Sequence, residues 1–277
     1  MNRNWVLGAL LSFFVCLVGC SKPCIPENRV FAIKDLANKK VGVLEASTAE
    51  IYAADFGGDT GKIQVETYPT LEEAVRALRR GEVDAVLGDD APASVFEGKY
   101  QSLRILDEVF KEESYAGIVS KKNFGLLDTV NMALIQMRTM GVYDSIFSSY
   151  IGGAGGYHFN PDSATGPVLR VATNAEFPPY EFRTADGAQG IDIEIARYIA
   201  DFMERPLEII DMDFDEIISA VDSGKADIGL AALSVTEDRG KIVNFTDHYA
   251  KSKIVVMVRS GEDESTLQRI KDTLFGN

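Results

Sequence analysis

From residue 30 onward, apolar and polar positions fall into short strands alternating with one-faced helices. Val41-Gly42-Val43-Leu44, after two lysines, reads as a buried strand, and Ser47 followed three residues later by Glu50 predicts a capped helix over 48–56. Residues 63–68 alternate as a second strand. Leu71, Ala74, Val75 and Leu78 share one helical face over 71–80, and Gly81 ends it. Residues 83–87 predict a third strand running into Gly88-Asp89-Asp90, and 91–96 another helix. The same grammar returns later in the chain. It predicts strands at 168–173, 207–212 and 226–230, an amphipathic helix at 190–203, and a helix over 215–222 that stops at Gly224. Residues 115–120 and 253–258 read as short strands joining two lobes. Residues 126–150 read as helix with a break near Gly141, 152–166 as a Gly-rich linker, and 265–275 as a terminal helix.

One stretch occurs twice. Ala77-Leu78-Arg79-Arg80-Gly81-Glu82-Val83-Asp84-Ala85 and Ala220-Val221-Asp222-Ser223-Gly224-Lys225-Ala226-Asp227-Ile228 agree in helix end, glycine and strand start. With the ordered elements around each copy, this predicts an α/β protein of two lobes of the same layered design. In open α/β sheets ligands sit beyond the carboxyl ends of the strands. Here those ends carry Ser47, Asp89, Asn174 and Ser234, so two facing lobes would enclose a polar cleft. The stretch Leu230 to Arg239 is its chemical centre. An apolar run ends at Ser234, Thr236 opens a helix with Glu237 and Asp238 in its first turn, and Arg239 follows one turn in. Backbone N–H groups, a hydroxyl, a helix dipole and a guanidinium gathered in one turn make a receptor for a carboxylate.

Composition narrows the partners. The chain has 277 residues, 46% hydrophobic and 25% charged, enough for one large domain or two lobes each with a core. A net charge of −14, spread along the chain, argues against a nucleic-acid partner, which would need a basic face. Arg3 precedes a nearly uncharged run over 5–18, the pattern of a signal peptide. Leu17-Val18-Gly19-Cys20 resembles the bacterial lipobox, which implies lipidation of Cys20, removal of residues 1–19 and anchoring to a membrane surface on the periplasmic or outer face. Residues 20–32 then form a tether, with Pro23 and Pro26 in it. Cys16 leaves with the signal and Cys20 carries lipid, so Cys24 has no disulfide partner. His158 and His248 make no evident acid–base pair, and no Ser-His-Asp, zinc-ligand or phosphate-loop spacing occurs. Neither an enzyme nor a cofactor or metal is expected.

Several motifs carry a resemblance over nearly everything from Ile33 to Val258: Arg170-Val171-Ala172-Thr173-Asn174-Ala175-Glu176-Phe177-Pro178-Pro179-Tyr180, Gly190-Ile191-Asp192-Ile193-Glu194-Ile195-Ala196, Met212-Asp213-Phe214-Asp215, Ser234-Val235-Thr236-Glu237-Asp238-Arg239 and Val41-Gly42-Val43-Leu44-Glu45-Ala46-Ser47-Thr48. They resemble the polar amino-acid binding proteins of ABC importers, of periplasmic-binding-protein type II fold, which include lysine/arginine/ornithine-, histidine- and glutamine-binding members. The order of the segments departs from that family. The part beginning near Val168, first in the family, follows the part beginning near Val41, so the chain looks circularly permuted. The old ends would be joined through 152–166, with one lobe at 33–114, the other at 115–258 and a tail at 259–277.

The resemblance implies binding of a polar L-amino acid, glutamine-like or basic, by a monomer that hands it to an ABC permease. It places the α-carboxylate against Arg239, the Ser234 hydroxyl and backbone N–H groups near Ser234 and Thr48, with Ala232 and Ser47 also at the ligand site. The α-ammonium would go to Asp89, and the ligand side chain between Phe177 and Phe214. Asn174 stands where basic- and glutamine-binding members often have aspartate. An uncharged donor and acceptor leans toward a neutral polar side chain, while Glu45 and Glu176 could restore a cation site. A lipoprotein that presents its ligand to a signalling partner is the alternative, followed by a dehydratase-type enzyme on the same fold.

Overall fold

The computed structural model describes residues 28–57, 61–151 and 165–260. The signal peptide expected at 1–19, Cys20, residues 152–164 of the expected linker and the helix expected at 265–275 lie outside the described residues.

Eight strands form one mixed sheet. They are β1 (Lys40–Leu44), β2 (Gln64–Tyr68), β3 (Ala85–Asp89), β4 (Leu103–Ser120), β5 (Leu169–Thr173), β9 (Leu207–Asp211), β10 (Ile228–Gly229) and β11 (Val243–Arg259). A separate three-stranded sheet joins β6 (Glu176–Phe177), β7 (Glu181–Thr184) and β8 (Gly187–Gln189). The helices are α1 (Thr48–Asp55), α2 (Leu71–Arg80), α3 (Asp90–Lys99), α4 (Phe124–Thr139), α5 (Val142–Ile151), α6 (Ile191–Phe202), α7 (Ile217–Ser223) and α8 (Glu237–Ile242).

The order of the large sheet is β2-β1-β3-β11-β4-β10-β5-β9. Read inward from either edge it is the same: three parallel strands, then an antiparallel strand that arrives from the other half. On one side β11 pairs with β3 through Ile254 to Val258, and on the other β4 pairs with β10 at Ile118 and Val119. Both long strands therefore serve both lobes, and they pair with each other from Leu103/Arg259 to Ser120/Val243. Register shifts between Phe245 and His248, His248 and Ala250, Ile254 and Val255, and Val255 and Met257 bend this ribbon, as inserted residues do in antiparallel pairs.

The duplicated stretch has a structural cause. Gly81 and Gly224 both take left-handed conformations, at φ 76° and 81°, which glycine adopts without a Cβ penalty. The chain then turns into the next strand, and the aspartates that follow brace the central strand of each half. Asp84 N–H donates to Lys40 O at 2.8 Å while Asp84 Oδ2 accepts from Lys40 N–H at 3.0 Å. Asp227 N–H donates to Arg170 O at 2.8 Å while Asp227 Oδ2 accepts from Arg170 N–H at 2.9 Å. Arg170 and Arg205 hold the Asp227 carboxyl below the usual carboxylate range, against the opposing effect of its burial.

Helix α2 forms over the residues its pattern predicts. Thr70 caps it by accepting from Glu73 N–H at 3.2 Å, and Leu71, Ala74, Val75, Ala77 and Leu78 are buried. The capping box expected at Ser47 is only half formed. Ser47 Oγ accepts from Glu50 N–H at 3.3 Å, but the Glu50 carboxylate reaches Ala46 N–H at 2.7 Å instead. The break at Gly141 separates α4 from α5, which pack on α6 and so belong to the second half.

Three expectations differ in extent. The strands expected at 115–120 and 253–258 are the ends of 18- and 17-residue strands. Polar positions facing solvent on the ribbon break the alternation that would have revealed their length. The boundaries drawn at 114/115 and 258/259 thus fall inside β4 and β11. The strand expected at 226–230 is only two residues long, because the chain leaves the sheet at Leu230 to build the turn that holds Ser234.

Candidate functional site

All nine residues expected at a ligand site line one cavity of about 20 Å³ between the halves. That leaves room for about one water molecule. The lining comprises Ser47, Thr48, Asp89, Asn174, Phe177, Phe214, Ala232, Ser234 and Arg239, with Leu44 and Ala231 completing the wall. The strand ends explain the convergence. β1 and β3 deliver Ser47, Thr48 and Asp89 from one half, while β5, β9 and β10 deliver Asn174, Phe214, Ala232 and Ser234 from the other.

Arg239 is held by its own helix start. Thr236 caps α8, accepting from Arg239 N–H at 3.2 Å. The guanidinium donates to Ser234 O at 2.9 Å and, across the cavity, to Ala46 O at 3.0 Å. Its Cζ also lies 5.6 Å from the centre of the Phe214 ring, within cation–π range. Burial lowers its pKa, opposed by the carboxylates of Glu113 and Asp89. Opposite charges from the two halves thus share one small space.

Asp89 ends β3. Its Oδ1 accepts from the Tyr115 hydroxyl and from Ser252 Oγ, the latter at 2.9 Å, and the two hydroxyl oxygens lie 2.8 Å apart. Burial pushes its pKa up to about 7, these hydroxyls act in the opposite sense, and Glu113 and Asp90 add to the rise. Asn174 is buried and donates from Nδ2 to Met212 O at 2.9 Å, which sets the plane of its amide. Ser47 spends its proton on Leu44 O at 2.6 Å while capping α1, so this hydroxyl can only accept from a ligand.

Ala232 has φ 46°, a strained value for a residue with a Cβ, and its N–H is pinned by Asp192 Oδ2 at 2.8 Å. Asp192 is fully buried at the start of α6 and also accepts from the Tyr249 hydroxyl at 2.7 Å. Burial pushes its carboxyl up to about 6, and that of the adjacent buried Glu181 well above the ordinary range. Asp192→Ala should lower stability by about 2–3 kcal/mol, since it orphans two buried donors. Asp192→Asn, which keeps an acceptor, should lose less; a urea titration of both variants measures the difference.

Glu45 and Glu176, considered as acids that might face a cationic side chain, do not line the cavity. Glu176 instead pairs with Arg183 at 3.3 Å. An unexpected residue does approach the site. Glu113 on β4 accepts from Thr48 Oγ1 at 2.9 Å and from Ser234 Oγ at 2.8 Å. Its signal was two-residue spacing from Tyr115 on one strand face, hidden once the strand was begun at Tyr115.

Residues 169–274 match the bacterial extracellular solute-binding proteins, family 3. The arginine-binding extracellular protein ArtP of Bacillus subtilis (strain 168) is 31% identical over 104 residues, 38% of this chain and 40% of that relative. A protein of Neisseria gonorrhoeae named "Probable histidine-binding protein" is 32% identical over 124 residues, 44% of this chain and 46% of that relative. The crystal structure of the arginine-bound form of domain 1 from TmArgBP is 31% identical, covering 40% of this chain and 93% of that one, with a TM-score of 0.29. The chain spans under half the length of the two curated relatives.

Proposed function

We propose that this chain, whose residues 169–274 match the bacterial extracellular solute-binding proteins, family 3, binds a polar L-amino acid between its lobes and delivers it to an ABC importer. The observation that carries this reading is the meeting of Arg239 from one half and Asp89 from the other on a single small cavity. A zwitterion needs both of its charges met by placed partners, because an unpaired buried charge costs several kcal/mol. Arg239, the Ser234 and Thr48 hydroxyls and the N-terminus of α1 would take the α-carboxylate, and Asp89 the α-ammonium. Asn174, Phe177 and Phe214 would hold a side chain that is glutamine-like or basic, as in arginine and lysine. The family is one of solute-binding proteins, which favours binding over dehydratase chemistry.

The same reading includes a lipid anchor at Cys20 and a permuted order of segments. The match to the family begins at residue 169, whereas β1 to β3, which form the other half of the sheet, precede it in the chain. Cleavage within 152–166 should therefore leave the two pieces associated and able to bind ligand. Loss of near-ultraviolet circular dichroism on nicking would count against the permutation. No helix among the described residues is long and apolar enough to cross a membrane. A thermal-shift screen against the twenty amino acids tests the central claim, since a ligand at a hundred times its Kd stabilises by about 2.7 kcal/mol. A flat response to all twenty rejects it.

A further inference from the structure

Building on that reading, we propose that Glu113 is an affinity- and specificity-determining residue of the cleft. Its carboxylate occupies the receptor that would otherwise take the ligand's α-carboxylate.

The strand geometry puts it there. The Tyr115–Ser234 bridge and the bond from Val235 N–H to Ser114 O, at 3.1 Å, lay β4 alongside the turn that carries Ser234. Glu113 and Tyr115 share one face of that strand. Tyr115 reaches Asp89, at the end of the cavity assigned to an ammonium, and Glu113 reaches the end built around Arg239. Thr48 comes from one half and Ser234 from the other, and both hydroxyls point at the same oxygen, Glu113 Oε2. The Tyr52 phenol, one turn beyond Thr48 on α1, lies near the same carboxylate. Burial first and then this carboxylate raise the phenol's pKa to about 12.

A hydroxyl has one proton to donate. While Glu113 holds both, a ligand carboxylate can take neither, and it would also face a like charge at close range. Binding of an amino acid therefore requires Glu113 to give way, which lowers affinity for the carboxylate form. A carboxamide in the same place meets no repulsion, so discrimination between an amino acid and its amide is compressed. Glu113→Ala frees two hydroxyls and removes the competing charge, so arginine and glutamine should bind at least about tenfold more tightly, the worth of one charge-assisted hydrogen bond. Argininamide should change little. Glu113→Gln, which keeps the shape and one acceptor oxygen, should fall between.

Calorimetry of wild type and both variants with arginine, glutamine and argininamide reads this directly. Unchanged or weakened arginine and glutamine affinity in both variants overturns the proposal while leaving the amino-acid reading in place. A second arm does not depend on that reading. Sodium formate, against sodium chloride at equal ionic strength, should raise the Tm of Glu113→Ala by filling the receptor, and should not do so for wild type. Equal formate responses in the two proteins overturn the proposal even if no amino acid binds.

Discussion

Replacing Arg239 by alanine is expected to abolish measurable amino-acid binding while leaving the fold intact. The side chain points from α8 into the cavity and not into the core, and the helix cap is made by Thr236, whose hydroxyl accepts from the backbone N–H of residue 239 and survives the change. What disappears is the positive end of the cavity. An α-carboxylate buried without its cation costs on the order of 3–5 kcal/mol, a few hundred- to a few thousand-fold in affinity. The variant also loses the contact to Ala46 O, which ties the two halves across the site. Arg239→Lys keeps the charge but cannot serve Ser234 O and Ala46 O together in the same forked geometry, so its affinity should lie between. Calorimetry with the amino acid found by thermal shift, alongside far-ultraviolet circular dichroism, checks both halves of the expectation. Wild-type affinity in the alanine variant would remove Arg239 from the binding site.

Amino-acid affinity is expected to fall by about a hundredfold between pH 8 and pH 5, because below a pKa near 7 each unit of acidification leaves a tenth as much ionised Asp89. The sign follows from burial. Asp89 is raised from 3.8 to about 7, so between those values the folded chain keeps a proton that the unfolded chain releases. The group's contribution to stability therefore declines as pH rises through that window. A bound α-ammonium reverses the preference by favouring the carboxylate, and binding near neutrality should expel a proton. Calorimetry at pH 7 in buffers of differing ionisation enthalpy measures that release. Asp89→Asn should bind weakly and lose most of the pH dependence. A pH-independent affinity in wild type would show that the ammonium is met elsewhere.

The legible parts of the chain were those whose cause is local. The apolar face of Leu71, Ala74, Val75 and Leu78 with its Gly81 stop, the helix opened by Thr236 before Arg239, and the matched glycine turns at Gly81 and Gly224 all rest on interactions within a few residues. For that reason α2, α8 and the two turns occur where the pattern puts them. The nine residues that line the cavity were legible in a different way. Ser47, Asp89, Asn174 and Ser234 sit at strand ends, which share one side of a layered α/β sheet, and Arg239 one turn into a helix, while Thr48, Phe177, Phe214 and Ala232 came through the resemblance to amino-acid binding proteins.

The long ribbon of β4 and β11 was not legible. Its central residues are polar and half exposed, and they are held as strand by a partner more than a hundred positions away. The three-stranded sheet of β6 to β8 was missed for a related reason, since strands of two to four residues are too short to show a period. The partners of Glu113 depend on the same ribbon, because only pairing across the molecule brings residues 48, 113 and 234 to one oxygen. What the sequence alone determined is the set of elements, their caps and the chemistry at their ends, through forces that act along the chain. Only the tertiary structure decided which charges face each other, that Glu45 and Glu176 stay outside the cavity, and that the Glu113 carboxylate of β4 accepts from the Thr48 and Ser234 hydroxyls, since such contacts are made between segments that only the fold brings together.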